Sequence, residues 1–516
     1  MTETLLPNLV QQMLQPGFYP HVVAEPIQLI QTHVSYVLLT GDYAYKLKKT
    51  VNFGFLDYSS VEKRQHFCQE ELRLNQRGAS ELYLEVLPVT LVNGKYQLGG
   101  TDEPVEYVLK MRQFPQEALF SEIFAQGNLQ QTHMEELGRV VAKYHAQTLT
   151  DDYIRSFGEI PQVRASIDEN YAQTLKYIGG PQTESQYQKT KQYTDNFFVQ
   201  YPELFSHRVK NNLIRECHGD LHLRNIALWH NRVMLFDCIE FNEPFRFVDV
   251  MYDVAFTVMD LEARQRKDLG NAFLNTYVEQ TGDWEGLQVL PLYLSRQAYV
   301  RAKVTSFLLD DPNVPVTVKE DAKKTAAEYY RQAWDYTKPK QGKLILMSGL
   351  SGSGKSTTAK YIAGKLGAIH LRSDAVRKHL AGIPLMERGE KEIYTDEMTQ
   401  KTYARLLSLG VLLANQGWQV ILDAKYDRQQ LRQTAIAQAQ EHQLPLQIIY
   451  CTAPIEVLQQ RLGNRTGDIA DATADLLVSQ VNQADPFTDK EQSYIKILNT
   501  TQSLQTQLTE IIEGRV

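Results

Sequence analysis

Two clusters of residues have the types and spacing for phosphate chemistry. The first, Gly349-Leu350-Ser351-Gly352-Ser353-Gly354-Lys355-Ser356, fits the pattern G-x-x-x-x-G-K-[ST]. Its glycines let successive backbone N–H groups turn inward on phosphate oxygens, and a helix N-terminus just beyond adds a favourable dipole. The spacing assigns Lys355 to the β- and γ-phosphates and the Ser356 hydroxyl to Mg²⁺, with Thr357 opening the following helix. The second cluster is His218-Gly219-Asp220-Leu221-His222-Leu223-Arg224-Asn225, followed by a strand pattern ending at Asp237. Asp220, Asn225 and Asp237 put three oxygen-bearing side chains in one cleft. Phosphoryl transfer needs such a set: a carboxylate to orient a hydroxyl and take its proton, and an amide and a second carboxylate to hold Mg²⁺. Asp and Asn also favour turns for purely local reasons.

The elements around these clusters follow from periodicity and punctuation. Residues 27–30, 35–39 and 43–48 read as strands, with Gly41-Asp42 as a turn signal. Period-two alternation in the third places Ala44, Lys46 and Lys48 on one face, a pattern that an edge strand protected by lysines would also show. A helical stretch over 60–76 carries Glu70 and Glu71. Strands are expected at 86–91 and 106–111, with the Asn93-Gly94 turn between them. Five strands and one helix make a small β-rich lobe. Mainly helical sequence follows, clearly amphipathic over 134–147.

A long helix is expected over 316–336, and residues 337–342 carry helix-stopping types. This divides the chain into residues 1–338, a linker 339–342, and residues 343–516. In the last segment strand and helix patterns alternate (343–347, 357–366, 369–373, 401–416, 418–423, 447–451), predicting a parallel sheet with helices on both faces. The strand 418–423 ends in Asp423, the usual acidic partner of a phosphate loop. Asp374 and Arg377 are three apart and share a helix face. Arg461 and Arg465, one turn apart, suit a clamp on a transferring phosphoryl group, or else a solvated helix face.

Composition narrows the function classes. The chain has 516 residues, 43% hydrophobic and 22% charged, an ordinary globular balance of two to four domains. A net charge of −7 argues against a protein that lives on a nucleic-acid backbone. Cys68, Cys217, Cys238 and Cys451 form no C-x-x-C and offer no zinc framework; they read as small buried hydrophobes. No signal peptide is visible near the first residue, and the most apolar stretch, 406–422, is broken by Asn415, Gln416 and Gln419. A cytoplasmic protein without membrane partners is expected.

At the HGDLHLRN loop, the Asp237 strand, Tyr43-Ala-Tyr-Lys46 and Asp249-Val-Met-Tyr-Asp253, residues 20–337 resemble the aminoglycoside-phosphotransferase and choline-kinase branch of the protein-kinase-like fold. That resemblance implies Asp220 as catalytic base, Asn225 and Asp237 as Mg²⁺ ligands, and Lys46 on the α- and β-phosphates with Glu71 as its helix partner, Glu70 being one residue off. It implies Met111 to Phe114, with Met111 and Gln113, as the segment that reads adenine. Asp253 would buttress the catalytic loop, and His222 stands where protein kinases have a lysine. The turn at 31–35 lacks the glycines that protein kinases place over the phosphates, as antibiotic kinases of this branch do. Asp151, Asp152, Glu240 and Glu243 could meet a cationic substrate or be structural.

Residues 343–498 resemble the P-loop small-molecule kinases, the group with zeta toxins, chloramphenicol phosphotransferase, gluconate kinase and polynucleotide 5′-kinase domains. The likeness implies Asp374 as the base on the substrate hydroxyl, Arg377 as a substrate arginine, Asp423 near Mg²⁺, and Arg461 and Arg465 in a lid. The expected architecture is therefore an α+β protein-kinase-like bilobal domain followed by an α/β P-loop NTPase domain. The expected function is an ATP- and Mg²⁺-dependent phosphotransferase with two nucleotide sites, each acting on a small-molecule hydroxyl. Two rivals remain: one catalytic domain regulated by a nucleotide-binding partner domain, or a C-terminal polynucleotide 5′-hydroxyl kinase using Arg372, Arg377, Lys378 and His379 as a basic groove.

Overall fold

The computed structural model describes residues 6–464, 467–471 and 473–507. The chain packs as two compact units. One comprises Met1–Leu129, Lys143–Ala172 and Phe198–Asp260; the other comprises Gln130–Ala142, Gln173–Phe197 and Leu261–Val516.

The first unit is built on an antiparallel sheet of β1 (Gln28–Gln31), β2 (Ser35–Leu39), β3 (Tyr43–Lys48), β4 (Tyr83–Val92), β5 (Lys95–Leu98) and β6 (Pro104–Arg112). Their order is β1-β2-β3-β6-β4-β5, so β3 is a central strand and not a lysine-guarded edge. The sheet has six strands rather than the expected five. The turn at Asn93-Gly94 leads first into β5, and Val92 pairs with Lys95. Helix α1 (Val61–Ala79) starts at Ser60, whose hydroxyl accepts the Lys63 N–H at 3.3 Å, an N-cap. One face of α1 buries Cys68, Glu71, Leu74 and Ala79, the charged residue among them needing partners described below. Two short pairs complete this unit: β7 (Ile214–Glu216) with β10 (Phe247–Asp249), and the hairpin β8 (Ile226–Trp229) with β9 (Arg232–Leu235). Further helices are α2 (Gln131–Gln147) and α3 (Val250–Ala263).

In the second unit, helices α4 (Lys267–Thr281), α5 (Leu290–Phe307) and α6 (Val316–Asp335) share a compact body with a parallel sheet. The sheet comprises β11 (Lys343–Ser348), β12 (Ile369–Arg372), β13 (Gln419–Asp423), β14 (Leu446–Thr452) and β15 (Ile495–Asn499), in the order β12-β13-β11-β14-β15. The connecting helices are α7 (Lys355–Leu366), α8 (Ser373–Ala381), α9 (Asp396–Asn415), α10 (Gln429–Glu441) and α11 (Ile455–Gly463). The near-continuous apolar runs of β11 and β13 are what a parallel strand covered on both faces requires. Ile345, Met347, Ile421 and Ile449 pack with Ala359 and Ile362 of α7 in one core. All four cysteines are buried and free, as their apolar reading expects. No helix among the described residues is long and apolar enough to cross a membrane.

Arg432 of α10 and Glu491 form an ion pair at 2.7 Å with both side chains 1% exposed. The guanidinium also donates to the carbonyls of Tyr426 and Pro486. Removing one member of such a pair leaves the other buried and uncompensated. Arg432→Met is expected to destabilise this unit by about 3–5 kcal/mol, read as an earlier unfolding midpoint in urea.

Candidate active sites

In the first unit, β3 delivers Lys46 to Glu71, the helix partner that the family resemblance implies, and also to Asp237. Its ammonium lies 2.6 Å from Glu71 and 2.8 Å from Asp237. Glu70 instead binds Arg73, one turn further along α1, at 2.8 Å. Burial alone would lower the Lys46 ammonium, but Asp237 and Glu71 outweigh it and hold it well above the ordinary lysine value. Lysine is thus a fixed cation at this point of the cleft. Glu71 is wholly buried and shared: Lys48 reaches its other oxygen at 2.6 Å.

Lys48 is a residue whose part in this site the sequence alone did not show. It is buried and pairs also with Glu240, which accepts a short hydrogen bond from the Tyr58 hydroxyl. The signal was present in the shared face of Lys46 and Lys48, and in Glu240 three residues beyond Asp237. Glu240 is accordingly structural rather than a contact for a cationic substrate. The other acidic candidates are also engaged: Asp151 caps a helix at the Ile154 N–H, Asp152 pairs with Arg155, and Glu243 accepts from Tyr153.

Asp220 and Asn225 face each other across the loop. The Asn225 amide nitrogen donates to the Asp220 carbonyl at 2.9 Å and its carboxylate at 3.1 Å. With the nitrogen so committed, the Asn225 oxygen is the atom suited to a cation. Together with the Asp237 carboxylate, half-exposed in the cleft, that donor set fits a hard oxygen-seeking ion such as Mg²⁺. Asp237 has φ of 63°, a left-handed conformation that Asp tolerates better than most residues. The Tyr83 hydroxyl accepts its N–H at 3.1 Å, and Asn75 accepts the next one, from Cys238, at 2.9 Å. Asp253 takes the N–H groups of His218 and Gly219 at 2.7 and 2.8 Å, with His145 at 3.2 Å, so it props the loop from beneath. His222 sits 3.4 Å from the Asp220 carboxylate. Met111 pairs with Ala44 and Tyr83 within the sheet, and the Gln113 side chain accepts the Gly41 N–H at 3.0 Å, closing the turn before β3.

In the second unit the phosphate loop joins β11 to α7. Gly349 has φ of 136°, and a Cβ there would lie 2.4 Å from the Cys451 carbonyl oxygen, so both conformation and space demand glycine. Bonds from the Gly349 N–H to Lys425 O (3.0 Å) and from the Ser351 N–H to the Gln480 side chain (3.1 Å) hold the loop. Lys355 folds back to the Leu350 carbonyl at 2.9 Å. Its burial lowers the ammonium below the usual lysine range, an effect Asp423 only partly offsets. Gly352, Ser353, Gly354, Ser356 and Thr357 follow in sequence along the loop and into α7.

Asp423 ends β13 in register with Met347 and with Arg372 of β12. His370 was not singled out by its sequence pattern, yet its Nε2 lies 2.9 Å from the Asp423 carboxylate. Burial would raise that carboxyl, but His370, Arg372 and Lys355 prevail and hold it at about 2. The Asp423 carboxylate and the Ser356 hydroxyl are oxygen donors of the kind Mg²⁺ takes. Arg461 binds the loop from its far side, donating to Gly352 O and to Thr500 at 3.3 and 2.8 Å. Arg465 lies outside the described residues. Arg377 is buried, donates to Ile393 O and Thr399, and has the Tyr394 ring 5.1 Å away.

Asp374 has the opposite electrostatics to Asp423. Burial dominates and pushes its carboxyl above the ordinary aspartate value despite Arg372 and Arg377. A group whose folded pKa is raised is penalised when ionised, at every pH above its unfolded value. Asp374→Asn is therefore expected to raise the melting temperature at pH 7. The gain should fade as pH falls towards roughly 3.9, where the unfolded carboxyl also protonates. Differential scanning calorimetry across that range checks the sign.

The first unit thus gathers a lysine, carboxylates and an amide around one loop, and the second sets a phosphate loop on a five-stranded parallel sheet. Residues 344–486 match the family model described as an AAA domain. The chain is similar to an uncharacterized protein of Mycobacterium tuberculosis strain H37Rv, 29% identical over 470 residues, covering 90% of this chain and 92% of the relative. Among solved structures, it is similar to a gluconokinase from Sinorhizobium meliloti 1021, at 22% identity over 34% of this chain and 91% of that one, with a TM-score of 0.25. It is also similar to aminoglycoside 2′-phosphotransferase-IIIa, solved as a GDP complex, at 11% identity over 63% of this chain and 98% of that one, TM-score 0.40.

Proposed function

We propose that the chain is an ATP- and Mg²⁺-dependent phosphotransferase with two nucleotide sites, one in residues 1–338 and one in 343–516. Each passes the γ-phosphoryl group to a hydroxyl of a small molecule. The observation that carries this reading is that each site joins a lysine suited to phosphates, oxygen donors suited to Mg²⁺, and a further carboxylate suited to a proton: Lys46, Asn225, Asp237 and Asp220 in one, Lys355, Asp423 and Asp374 in the other.

Both sites work by positioning and charge, since a loose transition state needs little covalent help. At the first, Asp220 orients the acceptor hydroxyl and takes its proton, while Lys46, fixed by Glu71, neutralises phosphate oxygens. Bound Mg²⁺ would supply charge neutralisation on the phosphates in both places. At the second, the raised pKa of Asp374 makes it a better base than an exposed aspartate would be. Backbone N–H groups of the phosphate loop and Lys355 receive the triphosphate.

A polynucleotide acceptor at the second site is less well supported. Lys378 is committed to the carbonyls of Leu385 and Glu387, His379 to Glu279 O, and Arg372 to Asp468, so these side chains do not form an open basic groove. The regulatory alternative predicts turnover at one site only. A metabolite-library phosphorylation screen read by mass spectrometry tests the proposal on wild type, Asp220→Asn and Lys355→Ala. Two product sets, each lost in one variant, are expected. Products that survive both substitutions would overturn the assignment.

A further inference from the structure

Strand β12 is the edge of the parallel sheet, and an edge strand leaves a row of backbone N–H and C=O groups open. Within the second unit, α4 takes up these groups with side chains instead of another strand. Asn271 and Asn275, one turn apart, both donate to the Ala368 carbonyl, at 2.9 and 3.0 Å. The Asn275 oxygen accepts the His370 N–H at 2.8 Å, and its nitrogen also donates to the Asn271 oxygen at 3.0 Å. One further turn along α4, the Glu279 carboxylate lies 3.8 Å from the Arg372 guanidinium, and its backbone carbonyl accepts from His379 of α8 at 2.8 Å.

The anchored strand is the one that carries the site. His370 and Arg372 share a face of β12 by period two; the first contacts Asp423 and the second ends the strand. Ser373 and Asp374 follow immediately as the start of α8. A shift of β12 along the sheet would therefore move the His370–Asp423 contact and the Asp374 carboxylate together. Arg372 is held between Glu279 and Asp468, and its Nε is buried without a partner, so the guanidinium depends on its two carboxylates for its place. By contrast, the phosphate loop takes its own bonds from Lys425, Gln480 and Thr500.

We propose that α4 is a working part of the P-loop site, with Asn275 and Glu279 as positioning residues. Asn275 fixes the placement of β12, and Glu279 holds Arg372 beside Asp374. The inference rests on the reading of this site as a phosphotransferase. It gives the site a dependence on residues that precede its own fold by more than sixty positions, Asn275 against Lys343.

The test uses the full chain with Asp220→Asn to silence the other site, Mg²⁺·ATP with water as acceptor, and a fluorescent ADP analogue for affinity. Asn275→Ala and Glu279→Gln are each expected to lower turnover about tenfold or more, since misplacement of about 1 Å costs on the order of 10²-fold. Analogue affinity should stay within about twofold, because the phosphate loop keeps its own anchors. Glu285→Gln removes a different salt bridge, to Arg405 of α9, and should leave turnover unchanged. Parent-like turnover in both variants overturns the proposal. So does an equal loss in Glu285→Gln, or a loss of analogue affinity alongside turnover, since either would mark general loosening. If Lys355→Ala in the same background turns over like the parent, the phosphotransferase reading itself fails, whatever the α4 variants do.

Discussion

Asp220→Asn is expected to lower phosphoryl transfer at the kinase-like site by about 10²- to 10⁴-fold, the usual contribution of a general base. The substitution keeps the shape of the side chain, and the Asn225 nitrogen can still donate to the residue-220 carbonyl and to an amide oxygen. The loop is also braced independently by Asp253 beneath His218 and Gly219, and by Thr257, whose hydroxyl donates to Leu221 O at 2.7 Å. Folding should therefore survive, with an unchanged melting curve. Nucleotide affinity should also be nearly unaltered, because Lys46 and its partner Glu71 are untouched. The informative measurement is transfer to the acceptors found in the screen, with kcat and KM determined separately. A fall in kcat at constant KM for ATP identifies a group acting on the transferred proton. A variant with full kcat would exclude Asp220 as base and turn attention to His222, 3.4 Å away.

Lys355→Ala should have the second large effect, on nucleotide affinity rather than on the chemical step alone. In the proposed site Lys355 is the residue of the loop that would bring a positive charge to the β- and γ-phosphates, from a buried position. A charge-assisted contact removed from such a site is worth roughly 2–5 kcal/mol, or about 30- to several-thousand-fold in affinity. Stability should change little or rise, since burial penalises the charged ammonium in the free protein. Calorimetric titration with ADP and Mg²⁺ is the check, and one of two binding events should disappear. Persistence of both would show that the loop does not bind nucleotide.

Motif chemistry was the most legible part of the sequence, because it depends on short-range spacing. The phosphate loop needs glycine where φ is positive and where Cβ would strike Cys451, and those demands are local. Asp220 and Asn225 are five residues apart in one loop, so their facing geometry is also nearly local. The preference for Glu71 over Glu70 comes from the family resemblance, and the fold of α1 buries the first and turns the second to Arg73. Strand β15 and strand β5 were not apparent.

What the sequence by itself determined, then, is the set of candidate groups and the elements that present them: their residue types, their spacing and the strand-to-helix punctuation around them. Tertiary structure decided how those groups are held. Lys48, Glu240 and Tyr58 come together from three separated stretches to brace Glu71, and no spacing rule links them. His370 gained a role only when parallel pairing set β12 beside β13. Asn275 and Glu279 acquire their partners only because α4 lies against the edge of the sheet. The physical reason is the same in each case: a buried charge or an open strand edge must find a partner, and that partner is chosen by proximity in space.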